Sequence, residues 1–229
     1  MKIIWLGHGS FRIEIEDQIL LVDPWLTGNP MLGEDQHADA VAGATHILIT
    51  HGHFDHTADV VALSKKLNIP AVGQYDLMGH FEATAGIAIV GYNIGGTVRL
   101  GKVAVSMVPA LHSTSLKDAP GAPVGREVGF ILRGEGHTIY LSGDTGIMAD
   151  MDWIGAFYKP DIGILSAGGH FTMGMEETAW AAKRYFDFEI VIPCHYRTFP
   201  LLDQSAGALA MGLPGVRVIE PQVMQAISI

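Results

Sequence analysis

The chain has a single cysteine, Cys194, among its 229 residues, so no disulfide can close within it and a reducing compartment is expected. Long apolar runs are missing too: nothing approaches the ~20 residues that a membrane-spanning helix needs. The apolar opening Met1–Leu6 is broken by Gly7-His8-Gly9, which leaves it too short for the core of a signal peptide. These absences predict a cytoplasmic protein with no membrane partner. Positive charge is scarce, with 14 Lys+Arg against 24 Asp+Glu and a net charge of −10. The chain has no basic stripe, which argues against a long nucleic acid and leaves a small molecule as the partner. Charged residues make up only 17% and hydrophobic ones 48%, a balance that fits a compact enzyme burying part of its surface in a homo-oligomer.

What is present alternates between two periodicities. Lys2–Leu6, Phe11–Ile15 and Gln18–Val22 read as strands, with Glu16-Asp17 as a tight turn. A loop from Thr27 to Gly43 leads to a buried strand, His46–Ile49. Helical spacing follows over Ala58–Leu67, ending at Asn68 before Pro70, and again over Asp76–Ala85 after a short strand at Ala71–Gly73. The β pattern returns at Ile87–Val90, Thr97–Leu100, Val103–Val108, Val128–Leu132 and Thr138–Leu141. Helices at Met148–Phe157, Met175–Phe186 and Leu201–Met211 then alternate with strands at Ile162–Leu165, Ile190–Ile192 and Val216–Ile219. No linker divides the chain, so residues 1–229 are expected to form one α/β domain. Its two halves share an outline of strands followed by helices, which suggests two face-to-face sheets with helices outside.

The densest chemistry lies just after the run Ile47-Leu48-Ile49, in Thr50-His51-Gly52-His53-Phe54-Asp55-His56. Neutral imidazoles and a carboxylate suit zinc, manganese or iron, and four such groups on one short loop can serve two ions. A dinuclear site needs more ligands than that, and isolated His or Asp residues follow other strands: His112, Asp144 and His195. Strand ends are where α/β enzymes place their chemistry.

These residues resemble the metallo-β-lactamase superfamily, whose fold is a four-layer αββα sandwich with metals at one edge between the sheets. Asp23 after Leu20-Leu21-Val22, the His51–His56 loop, His112, Gly143-Asp144-Thr145 and His195 match its five motifs in order. Further phrases resemble a branch of metal-dependent hydrolases related to the bacterial ascorbate-phosphate lactonase. They are Leu6-Gly7-His8 with Phe11, Asp23-Pro24, His112-Ser113, Gly168–Gly174 with Phe171-Thr172-Met173, and His195–Pro200. The chain departs from that branch in Ser166-Ala167, where a proline is usual, and in His170.

The resemblance implies that His51, His53 and His112 hold one metal and that Asp55, His56 and His195 hold a second, with Asp144 bridging them. Two divalent ions, Zn2+ or Mn2+ with iron as a third option, would then activate a bridging hydroxide. The expected reaction is hydrolysis of a small anionic ester, either a phosphodiester or a lactone. The competing reading is a mononuclear iron enzyme that oxidises a sulfur compound on the same fold. Asp55 and Asp144 are candidates for catalytic as well as ligand roles. Asp23 is expected to orient a histidine ligand. The resemblance places His8 near the site as a substrate contact, acid or extra ligand, and His170 and Tyr196 are candidates to meet the leaving group. Arg126 and Arg197 are the candidate cations for a phosphate or carboxylate.

Overall fold

The computed structural model describes all residues 1–229. The first half of the chain builds one sheet. Its elements are β1 (Lys2–Gly7), β2 (Ser10–Ile15), β3 (Gln18–Val22), α1 (His37–Val41), β4 (His46–Ile49), α2 (Phe54–Thr57), α3 (Val60–Leu67), β5 (Ala71–Gln74), α4 (Tyr75–Ala85) and β6 (Ile89–Tyr92). The second half continues with β7 (Thr97–Leu100), β8 (Val103–Pro109), β9 (Val128–Gly134), β10 (His137–Leu141), α5 (Met151–Tyr158), β11 (Ile162–Ser166), α6 (Met175–Tyr185), β12 (Ile190–Cys194), α7 (Gly207–Gly212), β13 (Arg217–Val218) and β14 (Ala226–Ser228).

Strand order is β14-β1-β2-β3-β4-β5-β6 in one sheet and β13-β12-β11-β10-β9-β8-β7 in the other. Each begins with antiparallel pairs and turns parallel, at β3–β4 in the first and β10–β11 in the second. Burial explains the sequence pattern. On β3 and β4, Leu20, Val22 and Leu48 face the core between the sheets, while Leu21, Ile47 and Ile49 pack under α3 and α4. Strands covered on both faces read as unbroken apolar runs. On the far side α5 and α6 pack Ile154, Ala179 and Ala182 into the same core as the second sheet. The result is the expected αββα sandwich. No helix is long and apolar enough to cross a membrane.

Four local expectations are corrected. The helix expected at Ala58–Leu67 starts only at Val60, and a separate helical turn, α2, precedes it; at the break the Asp59 carboxylate accepts bonds from Leu26 N, Thr27 N and Thr27 Oγ1 at 2.7–2.9 Å. That bond set anchors the loop leaving β3. The Thr27–Gly43 loop itself carries α1, whose end is held by Arg12 Nη1 donating to Ala42 O at 2.6 Å. The helix expected from Leu201 begins only at Gly207, since Gln204 Nε2 donates to Phe199 O and Leu202 O and ties that stretch into turns. The strand β14 was not expected, and it returns to pair antiparallel with β1. The helix end at Asn68 stands as expected, in the left-handed conformation (φ 53°) that closes helices.

Candidate metal centre

Every motif residue lies just beyond the carboxyl end of a strand: His8 after β1, Asp23 after β3, His51 after β4, His112 after β8, Asp144 after β10 and His195 after β12. Both sheets present these ends at the same edge, so residues nearly two hundred positions apart converge. The backbone is bent to allow it. His8, Asp23 and His195 have φ of 52°, 44° and 62°, values that non-glycine residues adopt at a cost of order 1–3 kcal/mol each. Close approach also demands glycine at position 9, where a Cβ would fall 2.9 Å from Cε1 of His56.

At the centre of the cluster is one atom. Asp144 Oδ2 is 3.0 Å from His195 Nε2, 3.4 Å from His56 Nε2, 3.7 Å from His112 Nε2 and 4.0 Å from His51 Nε2. Asp55 Oδ2 makes a second focus, 2.9 Å from His8 Nε2, 3.6 Å from His56 Nε2 and 3.7 Å from His195 Nε2. His51, His53 and His112 form a third group, with His51 Nε2 and His53 Nδ1 2.9 Å apart. All seven ligands expected from the sequence therefore meet, and His8 joins them.

The surrounding hydrogen bonds fix the imidazole tautomers. Asp23 accepts from Thr50 N (2.8 Å), Thr50 Oγ1 (2.6 Å) and His56 Nδ1 (2.8 Å). With its hydroxyl proton given to Asp23, Thr50 Oγ1 accepts from His51 Nδ1 at 3.0 Å. Both rings thus keep Nε2 as the nitrogen that faces the cluster, and His56 Nε2 is buried without a hydrogen-bond partner. This is the arrangement by which a carboxylate orients a metal-binding histidine. The donor set of imidazole nitrogens and carboxylate oxygens fits a divalent cation of the zinc or manganese type.

The electrostatics agree with that fit. Burial opposes charge on His56, yet Asp144, Asp23 and Asp55 outweigh it and hold His56 well above its ordinary range. Burial likewise opposes charge on His195, but Asp144 and then Asp55 raise it to about 9. Burial alone would raise Asp144, and the facing His195 and His56 instead hold it well below the carboxylate range. Three carboxylates in a buried site call for positive charge, which protons supply in part and metal ions supply in full. His51 and His8 behave oppositely. Burial, aided by neighbouring imidazoles, pushes His51 well down and His8 to about 4.

Two candidates are moved away. Tyr196 is fully buried with its ring stacked on Trp5 at 5.5 Å, in the core and off the cavity wall. It neighbours a ligand in the sequence, but the chain turns at His195 (φ 62°), and Tyr196 packs on Trp5 while His195 faces Asp144. His170 lines an adjoining cavity with Met173 and Glu177, its ring against Phe171 at 4.5 Å. Of the two cations, Arg126 is exposed and Arg197 lies 3.5 Å from Glu220; neither lines the cavity over the cluster. Sequence reading missed Trp25, whose ring meets His8 edge-on at 5.4 Å, and the buried Glu127, whose Oε1 accepts from His112 N at 3.3 Å. It also missed Lys117 and Phe199 on the cavity wall. Only Glu127 left a signal, as a carboxylate just before an apolar strand. Thr198 has a defined place: Oγ1 bonds His8 Nδ1 at 2.8 Å.

Comparison with known proteins agrees with this geometry. Residues 18–196 match the family described as the beta-lactamase superfamily domain. The chain is 72% identical over 227 residues, 99% of each chain, to a UPF0173 metal-dependent hydrolase of Roseobacter denitrificans. It is 66% identical over 230 residues, 100% of each chain, to a UPF0173 metal-dependent hydrolase of Ruegeria pomeroyi. Among solved structures it superimposes on Igni18, a metallo hydrolase of the archaeon Ignicoccus hospitalis, with a TM-score of 0.84 and 28% identity, covering 100% of this chain and 98% of that one. A shared fold alone would leave the chemistry open, but here close relatives and a converged His/Asp cluster point the same way. The chain belongs to the beta-lactamase superfamily, as a metal-dependent hydrolase with the metallo-β-lactamase fold.

Proposed function

We propose that the protein hydrolyses a small anionic ester, a phosphodiester or a lactone, at a dinuclear centre of divalent ions. His51, His53 and His112 would hold one ion, Asp55, His56 and His195 the other, and Asp144 both. The observation that carries this reading is the position of Asp144 Oδ2, within 4.0 Å of the Nε2 atoms of four histidines drawn from both groups. Its place among both sets fits a carboxylate shared by two ions. When bound, such a pair of ions supplies Lewis acidity and a water nucleophile active near neutral pH.

The chain's own residues do the rest. Asp23 and Thr50 hold His56 and His51 with Nε2 inward. His8, neutral near pH 7, keeps a proton on Nε2 and donates it to Asp55 Oδ2, while its Nδ1 accepts from Thr198. His8 thereby fixes the carboxylate that completes the second group. The complete Asp55, His56 and His195 set speaks for two ions over one, and so against the iron oxidase reading. His8, Asp55 and Asp144 line the cavity and stand as its catalytic candidates; Tyr196 and His170 do not line it.

The test is turnover of bis(p-nitrophenyl) phosphate and of a chromogenic lactone by metal-free protein reloaded with Zn2+ or Mn2+. Metal-dependent hydrolysis with two ions bound per chain is the expected result. No turnover of either ester at full metal occupancy, or full activity with a single ion, overturns the proposal.

A further inference from the structure

A cavity of about 650 Å3 lies over the ligand cluster, and its walls differ in kind from its floor. Phe54, Phe171, Phe199 and Leu201 line it. Phe54, Phe171 and Leu201 remain 46%, 51% and 53% exposed. They come from three separate segments: the start of α2, the stretch between β11 and α6, and the chain beyond β12. Each leaves about half of an apolar residue in water, which is unfavourable unless something covers it. Apolar side chains from separate segments, gathered on one concave wall, mark a surface that receives an apolar group. Phe199 is the fixed part of that wall, its ring 5.7 Å from His8 and 6.2 Å from Trp25.

Charge sets the second constraint. Lys117 is the one lysine or arginine on the lining, and its Nζ lies 5.6 Å from the centroid of Phe54. Beyond the ions of the proposed centre, no forked arginine donor reaches the cavity to meet further negative charge. A single ammonium supplies one point charge.

Resting on the hydrolase reading above, we infer that the substrate is an ester bearing an apolar aryl or branched alkyl group and no more than one negative charge. The apolar group packs on Phe171, Phe199 and Leu201, and Lys117 faces the charge. Water adds across the ester bond: its oxygen bonds to phosphorus or carbonyl carbon, the bond to the leaving oxygen breaks, and a proton ends on that oxygen. No further reactant is required.

The test compares phenyl p-nitrophenyl phosphate with methyl p-nitrophenyl phosphate, which share charge and leaving group. After correction for uncatalysed reactivity, kcat/KM is expected to favour the phenyl ester by at least ~10-fold, the equivalent of about 1.4 kcal/mol. Phe171→Ala and Leu201→Ala, both at exposed positions where a melting curve checks the fold, should each cut that ratio about 3-fold. Calorimetry gives a second readout, with diphenyl phosphate expected to bind the metal-loaded protein at least ~10-fold tighter than dimethyl phosphate. Turnover of both esters at equal kcat/KM, with variants leaving the ratio intact, overturns this inference and spares the hydrolase reading. Absence of turnover counts against that reading instead. Calorimetry then decides the inference, and equal affinities overturn it. Faster hydrolysis of the dianion p-nitrophenyl phosphate than of either monoanion also overturns it.

Discussion

The two halves of the ligand cluster are built differently. His51, His53 and His112 contribute imidazoles alone, and His53 and His112 are only half-buried. The half around the buried His56 and His195 adds a carboxylate of its own, the partly exposed Asp55, to the shared Asp144, with Asp23 and His8 behind them. The first half is held by two loops, with Thr50 on His51 and the Glu127 carboxylate on the backbone N–H of His112. The second is braced from β1, β3 and the segment after β12, on backbone in the left-handed region at three residues. A site that spends strain and buried charge on one half has organised that half in advance, so it should bind its ion more tightly and lose it last.

The largest effect should come from removing the atom common to both halves. Asp144→Ala is expected to lower ester hydrolysis at least ~10³-fold and to weaken binding of both ions. Turnover within ~10-fold of wild type with both ions retained would sink the shared-carboxylate arrangement. A sharper cut tests the bracing. Asp23→Ala leaves every ligand in place but frees His56 directly and His51 only through Thr50, and outer partners of this kind are worth ~10–100-fold in metal affinity. Metal titration should show this loss for one ion and a much smaller one for the other; equal losses would erase the distinction between the halves.

The metal-free protein offers a third test through pH. His56 and His195 are raised in the folded state, His195 to about 9, above an unfolded value of ~6.5. Their contribution to stability is full below ~6.5 and is lost as pH rises through about 9. His8 and His51 are lowered and stay neutral in the fold, so the opposing rise they add, as their unfolded counterparts lose protons, is confined to the region around ~6.5. Denaturation midpoints in chelator should therefore fall between pH ~7.5 and about 9, and the fall should vanish once metal replaces the protons. A flat profile without metal would mean that the carboxylates are not holding those protons. The smallest effect is expected outside both halves. His170→Ala and Tyr196→Phe should change kcat/KM by less than ~2-fold, because neither side chain lines the cavity over the cluster. A ~10² loss in either would return it to the reacting groups.

Much of the centre was legible because ligand chemistry admits few residue types. His51, His53, Asp55 and His56 announce themselves by spacing, and His112, Asp144 and His195 by following apolar runs. The two-sheet architecture was legible for the same kind of reason, since strands buried on both faces must be apolar throughout. Asp23 could be read as a support for a histidine, though not which one. Nor could the contacts at the break between α2 and α3 be read, where Asp59 meets Leu26 and Thr27 across 33 and 32 positions. Tyr196 misled for a local reason: adjacency to a ligand says nothing of where the next side chain points once the backbone turns at that ligand.

The sequence by itself thus determined which groups can bind metal, and that strands would deliver them to loops, because both are set by residue type and short-range periodicity. Only the tertiary structure decided that His8 would meet Asp55 across 47 positions, that Thr198 would hold His8 across 190, and that separate segments would supply one apolar wall. Those contacts depend on how two sheets pack and where their strand ends coincide, and no local pattern along the chain encodes that coincidence.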